Sequence, residues 1–323
     1  EIPDEVDSYL IPKTVDIEGR NDFIREWELG FKKSTLNPTI FYSNDSIELV
    51  SLDEKYVGIV CKRKNKRSFN WRYTNDPWKI LLIEIISQQT QINRANIYYQ
   101  KFIKKFPTPE SMSQSSLKTV LKMWSGLGYN IRAIRLYESS KLITEKGFKN
   151  IYPNFEILPG VGQYTKNAIL SFAYGDKVLA LDTNLERVLT RYFGIDNAKN
   201  FISKYSDFLL VGVNSRDLNQ ALMDLGSSIC TSSSPKCDIC PLEKSCKKYI
   251  LKSKNSIEKF KGSNRELRGK IIKLLVIENQ ITIKDILKET SEDEQKIITA
   301  INGLESDNLI KISKNNIIEI NSN

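Results

Sequence analysis

Apolar residues recur at helical spacing from Trp78 to about residue 230, and short breaks that contain glycine or proline separate the segments. The segment that begins at Ile80 is apolar on most sides, which predicts a helix buried in a core. Further helices are predicted at residues 92–106, 115–124, 131–146, 164–174, 184–193 and 217–229. The pattern therefore predicts an all-α architecture joined by short turns.

The two ends of the chain have different patterns. Three stretches near the start, at residues 39–42, 46–52 and 55–61, resemble strands. Near the end, three helical stretches and two apolar alternations around residues 313–316 form a pattern typical of a winged helix. The chain is therefore divided into an acidic N-terminal extension of residues 1–65, a helical core of residues 66–250, a linker of residues 251–264 and a winged-helix-like domain of residues 265–323.

Charge is concentrated in the middle of the 323 residues. Residues 61–250 carry a net charge of +14, whereas residues 1–60 carry −7 and residues 251–323 carry +2. A basic middle indicates a polyanionic partner, most simply nucleic acid. The chain contains no histidine, which excludes imidazole acid–base catalysis and histidine-based triads. It has no long apolar run and no signal-like start, so we expect an intracellular protein that does not associate with a membrane.

Four cysteines lie within 17 residues and are spaced C-x6-C-x2-C-x5-C: Cys230, Cys237, Cys240 and Cys246. Four thiolates this close are the preferred ligands of zinc or of an iron–sulfur cluster. Two disulfides are the alternative, which a C-x-x-C pair in a chain without a secretory signal disfavours. The spacing alone does not separate zinc from iron.

Two further features precede the cysteines. Gly160 and Gly162 form a turn whose backbone N–H groups can approach a phosphate at the start of the next helix, although an ordinary interhelical turn has the same pattern. Asp182 lies directly before a helical segment, where a carboxylate is typical of an N-cap. Each feature alone is a weak signal.

The segments LPGVGQYTKNAIL, ALDTNLERVLTRYFG and LNQALMDLGSSIC, followed by the cysteine loop, together resemble the helix-hairpin-helix DNA glycosylase superfamily, which includes endonuclease III. Within it, WRYTNDPWKI, IEIISQQTQI and MWSGLGYNIRAIRL are most similar to MutY-type adenine glycosylases. The resemblance covers about residues 69–249. It implies a two-lobed helical fold with a DNA groove and catalytic residues between the lobes, and a [4Fe–4S] cluster on the four cysteines.

The resemblance also implies a role for each matching residue. Glu84 would protonate the departing base, Asp182 would stabilise the cationic sugar, and Asn184 would help to hold that carboxylate and the attacking water. Tyr164 occupies the position where bifunctional members carry a Schiff-base lysine, so the protein would be monofunctional. Gln89 and Tyr129 would enter the base stack around the target base, and Trp71 and Arg72 would line the base pocket. Contacts with DNA are also predicted for Gln88, on the same helix face as Glu84, and for the Gly160 and Gly162 turn.

The chemistry of base removal agrees with these roles. Breaking an N-glycosidic bond places positive charge on the sugar and requires a proton for the leaving base, and two carboxyl groups in different environments supply both needs. A carboxyl on an apolar helix such as Glu84 favours its neutral form, which suits a proton donor. A salt-bridged core glutamate is the alternative reading. The target base must also leave the duplex to reach these groups.

The chain departs from the family pattern in several places. Thr183 replaces a glycine, Ser87 replaces a larger apolar residue, and the tail is too short for the Nudix-like domain that reads 8-oxoguanine in MutY proteins. Arg132 and Arg135, beside the Gly126–Gly128 turn, are expected to border the DNA backbone or to form a solvated basic helix face.

These observations predict a monomeric, monofunctional DNA glycosylase that removes adenine mispaired with guanine or 8-oxoguanine from double-stranded DNA. The first alternative is a glycosylase that removes thymine or uracil opposite guanine, since Tyr164 also occurs in that class. The second is a non-catalytic DNA-binding protein, which would have no need of the pair Glu84 and Asp182.

Overall fold

The computed structural model describes residues 69–210, 214–243, 246–249, 262–313 and 316–321, and the backbone of five short strands between residues 40 and 62. The chain divides into two compact units. The first, which we call the cysteine unit, comprises Glu1–Arg72 and Asn167–Ser253. The second, the bundle unit, comprises Tyr73–Lys166 and Lys254–Asn323.

The bundle unit begins with six helices: α1 (Pro77–Ser87), α2 (Ile92–Lys105), α3 (Pro109–Ser113), α4 (Leu117–Trp124), α5 (Ile131–Lys146) and α6 (Phe148–Ile151). Helix α1 begins at Pro77 because the side chain of Asp76 accepts hydrogen bonds from the backbone N–H groups of Trp78 and Lys79. Helix α1 packs against α2 and α5, and its apolar residues are almost fully buried. The predicted core helix is therefore confirmed.

A glycine turn connects this bundle to α7 (Gln163–Ile169), which continues as a wider turn over Leu170–Tyr174. Gly160 has φ +82°, a backbone conformation that favours glycine. A Cβ atom at Gly160 would lie 3.1 Å from the Cβ atom of Arg135, so the turn also packs closely against α5. The hydroxyl of Ser139 donates to the carbonyl of Pro159 at 2.9 Å and fixes the turn to the same helix.

The C-terminal part of the bundle unit is a small module of helices and strands. Its elements are α11 (Asn264–Glu278), β6 (Gln280–Ile281), α12 (Ile283–Thr290), α13 (Glu294–Ser306), β7 (Ile310–Ile312) and β8 (Ile318–Ile320). The strands form an antiparallel sheet in the order β6-β8-β7, and the β7–β8 hairpin lies where apolar alternation predicts it. Helix α11 packs against α4 within the same unit.

In the described part of the cysteine unit there are five short strands and three longer helices. The strands are β1 (Ile40–Ser43), β2 (Ser46–Leu49), β3 (Ser51–Leu52), β4 (Tyr56–Val57) and β5 (Val60–Lys62), and the helices are α8 (Thr183–Phe193), α9 (Ala198–Leu209) and α10 (Ser215–Ser228). Antiparallel pairing gives one sheet in the order β1-β2-β5 and a second of β3 and β4. Helices α8, α9 and α10 enclose an apolar core around Leu185, Leu218 and Leu222.

Helices α8 and α10 approach each other closely at Gly226. A Cβ atom at Gly226 would lie 2.6 Å from the Cβ atom of Asn184 and 3.0 Å from its Cα atom. Real side chains do not come this close, so the helix spacing requires glycine at this position. None of the helices in the described part of the chain is long and apolar enough to cross a membrane.

The first prediction tests this helix contact. Gly226→Ala is expected to lower the free energy of unfolding by about 2 kcal/mol, because the added methyl group overpacks the α8–α10 contact. Gly269→Ala is the matched control, since Gly269 lies within α11 and a Cβ atom there meets nothing within 4 Å. Urea unfolding followed by circular dichroism measures both variants. Equal stability of Gly226→Ala and the natural protein would contradict the assigned contact.

Candidate active site and cysteine loop

Glu84 and Tyr164 meet in the bundle unit. Glu84 lies on the apolar helix α1 and is only 8 % exposed. The hydroxyl of Tyr164, in the first turn of α7, donates to its Oε2 atom at 2.8 Å. The glycine turn before α7 therefore places the phenol against a carboxyl that lies 80 positions earlier in the chain.

Gln88 and Gln89 directly follow the C-terminal end of α1. The side-chain amide of Gln88 donates to the carbonyl of Gly160 at 3.3 Å, which joins α1 to the glycine turn. Gln89 has φ +55° and Tyr129 has φ +48°. Residues with a side chain seldom adopt this left-handed conformation, and when they do they often lie at functional sites. Both strained residues belong to the predicted DNA-contacting set.

Arg132 lies in the interior, so the expectation that it borders the DNA backbone or a solvated face is wrong. It is 4 % exposed, and its guanidinium donates to backbone carbonyls at the end of α1, among them Ile86 at 3.1 Å and Gln88. It also donates to the carbonyls of Leu127 and Gly128 at 3.2 and 3.0 Å. The final carbonyls of a helix have no partner within the helix, and Arg132 supplies one.

Burial has an electrostatic consequence for Arg132. Loss of hydration lowers the pKa of its guanidinium to about 10, and the nearby phenol of Tyr129 acts weakly in the opposite direction. The group remains a cation at neutral pH. Its central carbon lies 5.0 Å from the ring centre of Trp124 and 5.6 Å from that of Tyr129, so it also fixes these aromatic rings. Arg135, by contrast, is exposed, in agreement with its predicted place on a basic surface.

Asp182 caps α8 in the cysteine unit, as its position in the sequence predicts. Its Oδ1 atom accepts from the backbone N–H groups of Asn184 at 2.9 Å and Leu185 at 2.7 Å. Its Oδ2 atom accepts from the side-chain amide of Asn184 at 2.7 Å. Three N–H donors at the positive end of a helix stabilise a negative charge on this carboxyl.

Arg187 connects this cap to the cysteine loop. Its guanidinium donates to the side-chain oxygen of Asn184 at 2.8 Å, to the carbonyl of Gly226 at 2.6 Å and to the carbonyl of Cys230 at 2.7 Å. Desolvation by burial lowers the pKa of Arg187 below the usual arginine value. A continuous hydrogen-bonded path therefore runs from Cys230 through Arg187 and Asn184 to Asp182.

Arg191, one helical turn after Arg187, holds the following residues of the loop. It donates to the carbonyl of Thr231 at 2.7 Å and to the carbonyl of Ser232 at 3.0 Å. It also lies 3.4 Å from the Sγ atom of Cys230. Two arginines on one face of α8 thus fasten the start of the cysteine loop to the helix that Asp182 caps.

All four predicted cysteine ligands line one cavity of about 310 Å³ in the cysteine unit. Their thiols are free, and burial raises the pKa of the Cys240 thiol to about 11. Among the described residues, no group of three or more cysteine or acidic side chains is placed to hold a single metal ion.

Arg72 forms a buried ion pair in the cysteine unit. Its guanidinium donates to both carboxylate oxygens of Asp224 on α10 at 2.6 and 2.7 Å, and its side chain is 2 % exposed. Phe69 and Trp71 stack beside it with ring centres 5.3 Å apart. Trp71 has a buried indole N–H without a hydrogen-bond partner among the described residues. The role of Trp71 and Arg72 in a base pocket stays a prediction.

Lys166 lies two residues after Tyr164 and is the nearest amine in sequence to the Schiff-base position. Its Nζ atom forms an ion pair with Glu156 at 2.6 Å. The hydrogen bond from Lys166 lowers the pKa of the Glu156 carboxyl below its ordinary value. The amine of Lys166 is therefore engaged with Glu156, on a different face of α7 from Tyr164.

Sequence reasoning assigned no role to Arg187, Arg191, Asp224 or Gly226. Arg187 and Arg191 offered one weak signal: neither has an acidic residue four positions away on its own helix, so any ion-pair partner had to come from elsewhere in the chain. Asp224 and Gly226 follow an ordinary helical pattern and gave no signal of their own.

A family profile described as "HhH-GPD superfamily base excision DNA repair protein" matches residues 82–205. An adenine DNA glycosylase of Buchnera aphidicola subsp. Baizongia pistaciae is 40 % identical over 193 residues, which are 57 % of this chain and 55 % of that relative. An adenine DNA glycosylase of Mycolicibacterium smegmatis is 31 % identical over 225 residues, which are 65 % of this chain and 76 % of that relative. The chain thus spans little more than half the length of the Buchnera relative.

Two solved structures show the same fold. A thermostable thymine-DNA glycosylase is 32 % identical with a TM-score of 0.52 and covers 57 % of this chain and 88 % of its own. A non-covalent endonuclease III–DNA complex is 21 % identical with a TM-score of 0.50 and covers 58 % of this chain and 89 % of its own. The chain therefore belongs to the HhH-GPD superfamily of base excision DNA repair proteins and, within it, to the adenine DNA glycosylase family.

Proposed function

We propose that the protein is a monofunctional DNA glycosylase that hydrolyses the N-glycosidic bond of adenine mispaired with guanine or 8-oxoguanine. The observation that carries this proposal is the contrast between two carboxyl groups. Glu84 is buried on an apolar helix, whereas Asp182 receives three N–H donors at a helix N-terminus. The first carboxyl lies among apolar side chains with the phenol of Tyr164, and the second lies at the start of a helix, so the two groups are placed for different roles.

Glu84 acts as the general acid in this proposal. It protonates the departing base, and the hydroxyl of Tyr164 at 2.8 Å holds the carboxyl in one orientation. The glycine turn at Gly160 positions Tyr164, and Gln88 contacts the same turn. The orientation of Glu84 therefore depends on this turn and on the two helices that it connects. The adenine reaches Glu84 only after it has left the duplex.

Asp182 stabilises the sugar in this proposal. Cleavage of the bond gives the sugar the character of an oxocarbenium ion, and an ionised carboxylate lowers the energy of that charge. The side-chain amide of Asn184 holds one oxygen of Asp182, and Arg187 in turn holds Asn184. Water is then the nucleophile, and the product is an abasic site.

The monofunctional mechanism rests on the lack of an amine at Tyr164. A phenol does not form a Schiff base with a sugar, and Lys166 is paired with Glu156. The strand should therefore remain intact until alkali cleaves the abasic site.

The four cysteines suit a [4Fe–4S] cluster. All four line a common cavity of about 310 Å³, and four thiolates are a donor set for either zinc or an iron–sulfur cluster. The resemblance of the surrounding segments to the endonuclease III superfamily favours the cluster. The bound cluster would brace the loop, and this chain's own Arg187 and Arg191 would transmit that rigidity to the cap of α8.

Several features support DNA as the partner. The basic middle of the chain favours the phosphate backbone, and the predicted contact residues Gln88, Gln89, Tyr129, Gly160 and Gly162 belong to turns at helix ends. The C-terminal module is proposed to be a winged helix, because three helices and a terminal hairpin form it.

Adenine is favoured over thymine or uracil because the curated relatives at 30–40 % identity are named adenine DNA glycosylases. The thymine-DNA glycosylase among the solved structures shares the fold at 32 % identity. A test of the protein should therefore also measure the removal of thymine and uracil. Guanine and 8-oxoguanine are both tested as the opposing base.

The second prediction tests the two carboxyl groups. Glu84→Gln should lower the single-turnover rate on a duplex with adenine opposite 8-oxoguanine by about a thousand-fold, because a general acid is lost. Asp182→Asn should lower it by at least about a hundred-fold, because the cationic sugar loses its counter-charge. Glu145→Gln is the matched control, since Glu145 is exposed on α5. Strand cleavage after alkali is measured, and full activity of Glu84→Gln would contradict the proposal.

The third prediction concerns the link between the loop and Asp182. Arg187→Ala should lower the single-turnover rate by about ten-fold to a hundred-fold, because the partly buried carbonyls of Gly226 and Cys230 lose a donor and Asn184 loses its support. Arg187→Lys retains the charge without the forked geometry and should recover only part of the rate. Lys199→Ala, at an exposed position on α9, is the control. Equal rates for Arg187→Ala and Lys199→Ala would show that the path does not support catalysis.

The fourth prediction concerns the cysteine loop. Metal analysis of the purified protein should find about four iron atoms per chain and no stoichiometric zinc. Cys240→Ser should lower both the iron content and the melting temperature, whereas Cys61→Ser, outside the four-cysteine spacing, should not lower the iron content. One zinc per chain with no iron would overturn the cluster assignment.

A further inference from the structure

The C-terminal module packs against the part of the bundle unit that carries Tyr129. Helix α11 lies along α4, the helix that ends just before the Gly126–Gly128 turn. Near the other end of α11, the amine of Lys118 on α4 donates to the side chain of Asn279. The module is therefore attached to the helix that leads into this turn at more than one point.

Arg265, in the first turn of α11, contacts Tyr129 directly. Its guanidinium donates to the hydroxyl of Tyr129, and its central carbon lies 5.5 Å from the ring centre. Arg132 approaches the same ring at 5.6 Å. The side chain of Tyr129 is 40 % exposed, and its backbone has the left-handed conformation described above. Two guanidinium groups therefore hold an aromatic ring at the surface, on a strained backbone position.

The charge of the module argues against an independent role in DNA binding. Residues 251–323 carry 13 basic and 11 acidic residues, a net charge of only +2. Binding to a phosphate backbone draws on an excess of positive charge, and residues 264–323, which form the module, carry nine basic and ten acidic residues. The charge of the module therefore favours a role that depends on its contact with the rest of the bundle unit.

We propose that Arg265 is a positioning residue for Tyr129, and that the C-terminal module serves DNA recognition by holding this ring ready to enter the base stack. The inference rests on the proposed function, in which Tyr129 contacts the mispaired DNA. In this role, α11 supports Tyr129, which directly follows the Gly126–Gly128 turn of the same unit. The module itself does not bind the phosphate backbone, and those contacts come from other parts of the chain.

The test is a double-mutant cycle on DNA affinity with the whole chain of 323 residues as purified. Arg265→Ala should weaken binding to a duplex with adenine opposite 8-oxoguanine by about ten-fold, the combined effect of a cation–π contact and a hydrogen bond. In the Tyr129→Ala background the same change should have no further effect, because its target is gone. Lys273→Ala, an equal loss of charge at an exposed position on α11, should leave affinity unchanged.

Two readouts separate this role from others. The slope of affinity against salt should be the same for Arg265→Ala and the natural protein, whereas a direct phosphate contact would reduce it by about one. Arg265→Lys, which retains the charge, should bind between the two. Additive effects of Arg265→Ala and Tyr129→Ala, a reduced salt slope, or unchanged affinity would overturn the inference.

The test also remains separate from the proposed function. If the natural protein binds the duplex but releases no base, the glycosylase proposal fails while the affinity cycle still decides the role of Arg265. If the natural protein is active and the cycle shows additivity, only the positioning role fails. A melting temperature within the range of the Lys273→Ala control excludes unfolding of the module as the cause of weak binding.

Discussion

Two turns of the bundle unit depend on hydrogen bonds from the buried guanidinium of Arg132. One turn follows the end of α1, and the other is at Gly126–Gly128. Arg132 donates to carbonyls at the end of α1 and in the Gly126–Gly128 turn, and no neutral side chain offers as many donors in a fixed plane. The cost of removing this cation from water is offset only while those carbonyls stay in place. Gln89 and Tyr129, both in left-handed conformations, are held next to it. The strain of these residues is therefore supported from inside the bundle.

In the cysteine unit, Arg187 likewise joins separate segments by donating hydrogen bonds to several oxygens. A half-buried arginine collects the oxygens of Asn184, Gly226 and Cys230, and the glycine is required for α10 to come close enough to α8. The carboxylate of Asp182 thus owes its position to a loop that lies about fifty residues later in the chain. In each unit, an arginine near a candidate catalytic carboxyl group donates to backbone carbonyls: Arg132 at the end of α1, and Arg187 at Gly226 and Cys230.

The sequence predicted the elements better than the contacts between them. The apolar face of α1, the cap at Asp182 and the C-terminal hairpin follow from local patterns, and the structure contains all three. Arg132 was placed at the surface because a basic residue beside glycines resembles a phosphate contact, yet its destination was the free end of a helix 46 residues earlier. Hydrogen bonds between residues so far apart in sequence depend on tertiary packing, and a local sequence pattern does not predict them.

The most direct test of the central claim is identification of the base that the protein releases. Duplexes that carry adenine opposite 8-oxoguanine, adenine opposite guanine, and thymine or uracil opposite guanine are incubated with excess protein, and the free base is identified by mass spectrometry. We expect free adenine and a strand that stays intact until alkali is added. Release of thymine or uracil instead, or strand cleavage without alkali, would contradict the account.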